Sequence, residues 1–521
     1  MEKPTASSTS LAASHAASTS WFLLAVLWCV LLLLAAWRPL ALPDEGRYAE
    51  VGRWMLVSGD WLTPRLNGIP FFHKPPLLYW LEAISMGIFG VHAWAARLVP
   101  ALHAGLMLTT LYIASRNIGD ELLARRATLM LGTSLSFLIG GQYINHDMLV
   151  ACWIGVAIWS FAAAFMQGER PDVRLALIGF AACALGVLSK GMIGFALPGL
   201  VLLIWLFWTR QLRKIPRLPW LRGLTVFGVL ALPWFVLVHQ QFPDVLNYMF
   251  GTQQFSRFTG TTFNNGRAWW FYLLCLLLLL FPWVLFVRPT RFAALEAREK
   301  AWLSLLWIWT IAIVGFFSIP TSKIIGYVLP VMPALALLSA IGYGEWLKNK
   351  PHISRRLLPS LALLATLTAV GATVVAGHFS QKQTSADVAQ TLACEASPQD
   401  RVYALDGFPY DLPFYTGATK PMIIIQDWDK VRRSAGDNWQ RELFEGAHFD
   451  ATAGSILQGS EVLAAASQGA GNWLLLPSAT PSQGRPPGWT SVQEGLNWAL
   501  LRSAGKSPEA AQQKGLAGCK H

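Results

Sequence analysis

Residues 21–42 read WFLLAVLWCVLLLLAAWRPLAL, and Arg38 is the only charged residue in this apolar run. An α-helix needs about twenty consecutive apolar residues to cross the hydrocarbon core of a bilayer. Similar runs recur along the chain. The candidate spans are 21–42, 93–115, 123–141, 148–166, 173–189, 192–208, 221–239, 268–287, 301–318, 326–343 and 357–377. The sequence therefore predicts an α-helical polytopic membrane protein with about 11–13 transmembrane helices.

The overall composition agrees with a membrane protein. Hydrophobic residues make up 54% of the 521 residues and charged residues 13%, whereas a soluble domain contains about 25% charged residues. The net charge of +12 would by itself be compatible with nucleic-acid binding. However, the positive excess lies in short segments between the candidate spans, as expected of cytoplasmic loops. We therefore expect membrane lipids and no nucleic acid as partners.

Four segments between the candidate spans are rich in Lys and Arg, which is typical of cytoplasmic loops. They follow the second, sixth, eighth and tenth candidate spans, so one orientation makes all of them cytoplasmic. The segments are 115–126, 209–221, 287–300 and 345–356. The apolar stretch 77–90 would break this pattern if it crossed the bilayer, and it contains Glu82. We therefore expect it to form a helix at the outer interface.

This orientation places six segments on the outer face: 43–92, 142–147, 189–191, 240–267, 319–325 and the C-terminal tail. Their charged residues are sparse, and isolated cations on this side need an explanation other than the positive-inside rule. Arg and Lys stabilise phosphate oxygens through charge-assisted hydrogen bonds, so phosphate binding is one such explanation. The polar residues of interest are Asp44, Glu45, Arg47, His73, Lys74, His146, Asp147, Lys190, Arg257, Arg267 and Lys323, with Tyr327 at the outer end of its span.

The first outer segment contains the most motifs. From Leu42 to Trp80 it reads LPDEGRYAEVGRWMLVSGDWLTPRLNGIPFFHKPPLLYW, and WAARL follows at 94–98. The elements DEGRYAE, SGDW, LNG, KPPLLYW and WAARL resemble, in order, the signature of the GT-C glycosyltransferases of the protein O-mannosyltransferase superfamily. Within that superfamily the segment is similar to the bacterial 4-amino-4-deoxy-L-arabinose transferases, which modify lipid A.

The resemblance covers roughly residues 20–350 and weakens in the tail, where YDLPFYTG is the one recognisable element. Its further motifs are GQYINHD (141–147), LSKG (188–191), QQFSRF (253–258), WWFY (269–272) and SKIIGYVLP (322–330). It implies a GT-C membrane domain that uses a polyprenyl (undecaprenyl) phosphate-linked sugar as donor.

The resemblance also implies roles for individual residues. The predicted catalytic acids are Asp44 and Asp147. Contacts to the carrier phosphate are implied for Arg47, Lys74, Lys190 and Tyr327. We add three further substrate-binding candidates from the outer segments, Glu45, Arg257 and Lys323. The arabinose transferases usually have Glu before the Lys-Pro-Pro element, where this chain has His73; since His binds zinc, a divalent metal ion with His73 as a ligand is the one cofactor to consider.

Several of these residues have simpler interpretations. Asp44 and Glu45 could cap the helix that they begin, because carboxylates favour helix N-termini, and Asp147 could do the same. Lys74 and Lys190 could neutralise lipid headgroups. If Asp44 is catalytic, it serves as general base for a hydroxyl acceptor; for a phosphate acceptor it would orient a substrate or pair with a sugar ammonium.

The chain divides into three predicted segments. Residues 1–20 are small and polar and are predicted to be disordered. Residues 21–378 form the transmembrane glycosyltransferase domain, with an outer catalytic loop at 43–92. Residues 379–521 form a small periplasmic α/β domain, because β-rich runs at 401–408, 422–426, 473–476 and 489–500 alternate with polar helical stretches such as 385–396. Cys394 and Cys519 could pair there.

The leading functional hypothesis is transfer of a sugar from the carrier to lipid A or a related envelope acceptor, at the periplasmic face of the bacterial inner membrane. The sugar would be an aminosugar or pentose such as 4-amino-4-deoxy-L-arabinose. A second hypothesis keeps the chemistry but makes the acceptor a protein or another glycan. A third is a transporter or flippase for lipid-linked sugars, which the sequence favours less because no internal repeat is apparent.

Overall fold

The computed structural model describes residues 6–256, 266–289, 295–348, 350, 352, 356–434 and 439–505. The chain forms two compact units. The first contains Met1–Ala36 and Arg97–Thr373, and the second contains Trp37–Ala96 and Val374–His521. The outer segment with the DEGRYAE and KPPLLYW motifs thus forms one compact unit with the C-terminal part of the chain. The domain boundaries drawn from the sequence stay a prediction.

Helices dominate the first 381 residues. In chain order they are α1 (Ala6–Ala36), α2 (Asp44–Ser58), α3 (Leu77–Phe89), α4 (Ala93–Ile118), α5 (Glu121–Gly132), α6 (Leu135–Gly140), α7 (His146–Met166), α8 (Val173–Lys190), α9 (Ile193–Trp208), α10 (Trp220–Gln241), α11 (Phe271–Leu279), α12 (Ala297–Ser318), α13 (Met332–Lys348) and α14 (Leu357–Gln381). Shorter 3₁₀ or π turns lie at Leu212–Arg217, Asn247–Ser256, Trp283–Phe286 and Ile325–Val331.

Seven helices of the described residues are long and apolar enough to cross a membrane: Ala93–Ile118, His146–Met166, Val173–Lys190, Trp220–Gln241, Ala297–Ser318, Ile325–Lys348 and Leu357–Gln381. Shorter apolar helices occur at Trp21–Ala36, Leu77–Phe89 and Ile193–Trp208. At 13 residues, α3 is about 20 Å long, which is too short to cross the hydrocarbon core. The predicted polytopic helical membrane fold is confirmed.

Two predicted spans are interrupted. The run 123–141 is divided into α5 and α6, because the Ser134 side chain accepts a hydrogen bond from the backbone N–H of Phe137 and begins a new helix. The run 268–287 breaks after Leu279, where Pro282 cannot donate a backbone hydrogen bond. The first helix, α1, begins at Ala6, and the disorder expected for residues 1–20 stays a prediction.

Large aromatic side chains fill the core of the first unit. Trp205, Trp283 and Trp309 are fully buried. The Trp205 indole donates a hydrogen bond to the Ala301 carbonyl (2.8 Å), and the Trp283 indole donates one to Thr133 Oγ1 (3.1 Å). The core is therefore held by specific polar contacts as well as by apolar burial.

The connection between α8 and α9 is a tight reversal. Gly186 and Gly194 face each other so closely that a Cβ on Gly186 would lie 3.0 Å from the Gly194 Cα. Gly191 between the two helices has φ +83°, a conformation that favours glycine. This reversal fixes the position of Lys190 at the last residue of α8.

The second unit contains a six-stranded mixed sheet. Its strands are β3 (Arg401–Leu405), β4 (Ile423–Ile425), β5 (Leu457–Gln458), β6 (Asn472–Pro477), β7 (Trp489–Glu494) and β8 (Trp498–Ser503), in the order β5-β4-β3-β6-β8-β7. The first four are parallel, with Tyr403 opposite Ile423 and Leu474, and β8 is antiparallel to β6 and β7. A two-stranded ribbon, β1 (Arg65–Leu66) and β2 (Ile69–Pro70), lies in the outer segment.

Helices α15 (Ala386–Glu395), α16 (Leu412–Thr416), α17 (Trp428–Ser434), α18 (Trp439–Gly446) and α19 (Val462–Gln468) accompany the sheet. The predicted small C-terminal α/β fold is confirmed. The predicted single run 489–500 is instead a hairpin of two strands, because a turn at Gly495–Asn497 reverses the chain. The sequence did not predict β5, which has only two residues.

Candidate active site

The acidic pair Asp44 and Glu45 begins α2, but its two members have different surroundings. Glu45 is fully buried, and its carboxylate accepts hydrogen bonds from Arg38 Nη1 (2.5 Å), Arg38 Nη2 (3.0 Å) and the Ala41 backbone N–H (2.8 Å). The Asp44 side chain is 32% exposed. The N-cap residue of α2 is Pro43, and Asp44 is the first residue of the helix. A substrate contact from Glu45 stays a prediction.

Arg47 lies one turn further along α2 and is 1% exposed. Its Nη2 donates a hydrogen bond to Asp44 Oδ1, and its Nη1 donates one to Glu442 Oε2 of α18. Its guanidinium carbon lies 4.0 Å from the centroid of the Trp439 ring. Burial alone would lower the pKa of Arg47, but the Glu442 and Asp44 carboxylates outweigh it and hold this pKa well above its ordinary value. The predicted phosphate contact of Arg47 stays a prediction.

His73 and Lys74 precede the two prolines that lead into α3. The His73 ring stacks on Phe71 (ring centroids 5.1 Å apart). His73 Nδ1 lies 3.5 Å from Glu442 Oε1, and Nε2 lies 3.9 Å from Glu445 Oε2. Among the residues that the structure describes, no group of three His, Cys, Asp or Glu could hold a metal ion. The described residues around His73 therefore do not fit a metal centre. Lys74 is half-buried.

From the sequence alone, Glu82 of α3 indicated only that this helix lies at the interface. It is fully buried, and within the described residues both of its carboxylate oxygens lack a hydrogen-bond partner. It packs against Gly52 of α2. Burial, and secondarily the charge of Glu45, raise the pKa of Glu82 well above its ordinary value. The protonated, neutral form of this carboxyl is therefore favoured relative to a solvent-exposed glutamate.

The second predicted acid, Asp147, lies in the first unit near the start of α7. The residue that caps α7 is Asn145, whose side chain accepts a hydrogen bond from the Asp147 backbone N–H (2.9 Å) and donates one to Asp147 Oδ2 (3.1 Å). Lys190 Nζ donates a hydrogen bond to Asp147 Oδ1. The interpretation of Asp147 as a helix cap is therefore unnecessary, and its carboxylate is oriented by an amide and an ammonium group.

The same unit contains two further predicted site residues, Tyr327 and Lys323. Lys190 Nζ lies 4.6 Å from the centroid of the Tyr327 ring, and that ring packs against Phe317 with the two ring planes tilted by 31°. Lys323 is buried and donates hydrogen bonds to the carbonyls of Pro320 (2.5 Å) and Arg267 (3.2 Å). The structure thus brings Asp147, Lys190 and Tyr327 together, and assigns the Lys323 ammonium to backbone carbonyls. Arg257 lies outside the described residues.

Sequence reasoning did not identify several residues of these clusters. Asn145 lies within the GQYINHD motif, but only the structure shows that it holds Asp147. Glu442 and Trp439 belong to α18, where no site residue was predicted. No sequence signal could have paired Glu442 with Arg47, because 395 residues separate them.

Comparison with known proteins agrees with the motif resemblance. The family described as dolichyl-phosphate-mannose-protein mannosyltransferase matches residues 17–249. ArnT of Cupriavidus metallidurans, solved bound to undecaprenyl phosphate, superimposes with a TM-score of 0.78 at 24% identity, over 94% of this chain and 100% of that protein. The chain has the GT-C fold. The apo structure of the same ArnT gives a TM-score of 0.76, also at 24% identity, over 94% of this chain and 98% of that protein.

This GT-C chain also resembles several curated proteins in amino-acid sequence. Undecaprenyl phosphate-α-4-amino-4-deoxy-L-arabinose arabinosyl transferase 1 of Pseudomonas fluorescens is 32% identical over 342 residues, which is 63% of this chain and 59% of that protein. The transferase of Pseudomonas savastanoi pv. phaseolicola is 31% identical over 328 residues, 63% of this chain and 61% of that protein. The aligned part thus spans about 60% of the length of these relatives. The expected resemblance to the aminoarabinose transferases is confirmed.

Proposed function

We propose that this GT-C protein is a glycosyltransferase that moves a sugar from a polyprenyl phosphate, such as undecaprenyl phosphate, to lipid A or a related envelope acceptor. The sugar is an aminosugar or pentose of the 4-amino-4-deoxy-L-arabinose type. The observation that carries the proposal is the Asp147–Lys190 ion pair beside Tyr327, in a chain that is similar to arabinosyl transferases by sequence and to undecaprenyl phosphate-bound ArnT by fold.

The chemistry follows from the donor. A sugar on a polyprenyl phosphate already carries a good leaving group, so the enzyme needs to stabilise the charge that develops on the departing phosphate. Fixed ammonium and guanidinium donors at a low-dielectric boundary do this effectively. Lys190 is held between Asp147 and the Tyr327 ring, so its ammonium is oriented before the substrate arrives. We assign Lys190 to the phosphate, with Tyr327 beside it.

Asp44 is the proposed catalytic acid because it is the exposed carboxylate of its cluster. With a hydroxyl acceptor it removes the proton as general base, typically a 10²–10⁴-fold contribution. With a phosphate acceptor no proton needs to leave, and Asp44 pairs with the sugar ammonium or orients the acceptor. In both cases the Asp44 carboxylate must be held in place, which the ion pair with Arg47 accomplishes.

We place the protein in the inner membrane, with the second unit in the periplasm. The basic segments between the apolar helices support this orientation. Cys394 is disulfide-bonded, and disulfides persist in oxidising compartments such as the bacterial periplasm. Cys519 lies outside the described residues.

Mass spectrometry of lipid A from cells with and without this protein tests the proposal. We expect a mass increment of one aminosugar or pentose that depends on the protein. Unchanged lipid A, together with a new sugar on a protein or another glycan, would assign a different acceptor. Absence of any protein-dependent glycan change would argue against a glycosyltransferase.

The role of Lys190 is tested with purified protein. Lys190→Ala removes a charge-assisted hydrogen bond at a desolvated site, so kcat/KM for the polyprenyl-phosphate sugar should fall on the order of 10–150-fold. Lys190→Arg should recover part of this loss, because the charge is kept. The control is Lys430→Ala, an exposed lysine of α17, which should match wild type. If Lys190→Ala has the same kcat/KM as wild type, Lys190 does not bind the phosphate and its role is structural.

A further inference from the structure

We propose that Glu442 and Trp439 of α18 are positioning residues for the transferase site, because they hold Arg47 against the proposed catalytic acid Asp44. This inference rests on the proposed function. It assigns α18, a helix of the C-terminal part of the chain, to the active site.

The Arg47 guanidinium is held on two edges and one face. One terminal nitrogen donates to Glu442 and the other to Asp44. The guanidinium carbon lies 4.0 Å from the centroid of the Trp439 ring, a distance at which a cation is attracted to the ring. Because a guanidinium is planar and rigid, fixing two nitrogens and one face leaves it a single orientation.

The exposure of the three charged groups indicates which one meets substrate. Arg47 is 1% exposed and Glu442 is 11% exposed, whereas Asp44 is 32% exposed. Arg47 is thus the buried centre of the cluster, and Asp44 is its accessible end. A buried cation that pairs with two carboxylates couples the position of one carboxylate to that of the other. Glu442 consequently acts on Asp44 through Arg47.

This arrangement has a kinetic consequence. A carboxylate whose supporting cation is displaced by about 1 Å can lose roughly 10²-fold in rate, although substrate still binds. Loss of Glu442 should therefore lower kcat more than it changes KM for the donor. A residue that binds the donor directly would show the opposite pattern.

The experiment compares Glu442→Gln, Glu442→Asp and Trp439→Phe with wild type in transfer assays at varied donor concentration. We expect Glu442→Gln to lower kcat on the order of 10–100-fold with KM within about twofold. Glu442→Asp should recover part of the loss, because it keeps the charge. Trp439→Phe keeps an aromatic face and should cost only a few-fold. The control Glu461→Gln, an exposed acid of the same unit, should match wild type.

Two kinetic outcomes would overturn the proposal. Glu442→Gln with wild-type kcat would show that Arg47 needs no support from α18. A rise in KM alone would make Glu442 a donor-binding residue.

A second measurement separates this inference from the proposed function, because it needs no substrate. The unfolding temperatures of Asp44→Asn, Glu442→Gln and the double variant are measured in detergent. Coupling through Arg47 predicts that the two losses are not additive. Additive losses would overturn the positioning network, whatever reaction the protein catalyses. If wild-type protein shows no transferase activity but the two losses are non-additive, the proposed reaction is wrong and the positioning network is supported.

Discussion

Asp44→Asn distinguishes catalysis from helix stabilisation at a single residue. Asparagine keeps the size of the side chain and still accepts a hydrogen bond from Arg47, but it removes the negative charge. We expect transfer to fall by at least about 100-fold, with normal abundance in the membrane. The measurement is the initial transfer rate of purified protein, with Asp429→Asn, an exposed residue of α17, as control. Activity within about threefold of wild type, or ~0.6 kcal/mol of barrier, would make Asp44 structural.

Glu82 gives the protein a pH-dependent stability with a defined sign. Its pKa in the folded protein is raised well above the ordinary value, mainly by burial. At pH values between the ordinary pKa and this raised pKa, the folded state therefore binds more protons than the unfolded state. The free energy of unfolding therefore falls as pH rises through this window. Glu82→Gln is neutral at every pH and should remove this part of the dependence.

Melting temperatures of wild type and Glu82→Gln between pH 5 and pH 8 test this expectation. The Gln variant should gain stability relative to wild type as pH rises. Parallel curves would show that the Glu82 carboxyl finds a compensating charge in the folded protein.

At the scale of elements, the packing of α2 against α3 depends on Gly52. A Cβ at this position would lie 2.8 Å from Glu82 Cβ and 2.9 Å from Glu82 Oε2, distances that require one of the helices to shift. We expect Gly52→Ala to lower the free energy of unfolding by about 1–3 kcal/mol. The control is Gly87→Ala on α3, where the nearest atom, Leu56 Cδ1, lies at an ordinary 3.4 Å. Equal stabilities for the two variants would contradict the close packing.

The helices were largely predictable because a long apolar run has few alternatives to a helix in a bilayer. Their interruptions were not, since Ser134 and Pro282 occur in runs whose hydrophobicity barely changes. In the tail, β4 and β6 were predicted from their apolar runs. The strand β5 was missed because two residues carry no periodicity, and its pairing with β4 depends on the tertiary fold.

The site was predictable only in part. Asp44, Asp147 and Lys190 could be named because they lie in local motifs, and the structure pairs Asp147 with Lys190 across 43 residues of sequence. Glu442 could not be named, since its significance comes from the distant Arg47. The pairing of Glu45 with Arg38, whose guanidinium donates hydrogen bonds to both of its carboxylate oxygens, was also not predicted, because charge alone does not reveal a contact between residues seven apart.

For the whole molecule, the proposed orientation can be tested by thiol labelling. We expect a cysteine at Ser58, an exposed residue at the end of α2, to react with a membrane-impermeant reagent added to intact spheroplasts. A cysteine at Arg213, exposed in the basic segment after α9, should react only after permeabilisation. The native cysteines are replaced in both proteins. Labelling of position 213 from outside would show that the proposed orientation is wrong. The site would then not lie on the periplasmic face.

The discontinuous second unit has a consequence for biosynthesis. Its two stretches are separated by residues 97–373, which a ribosome takes roughly 15–55 s to translate at about 5–20 residues per second. During this interval Asn67 lacks Met422, with which it later exchanges two 2.8 Å hydrogen bonds, and Phe72 lacks Phe449. Until the C-terminal part is made, apolar side chains of the outer segment therefore lack the contacts that bury them in the finished structure. Chains that terminate early would leave it permanently without its partner, as a substrate for holding chaperones and quality-control proteases.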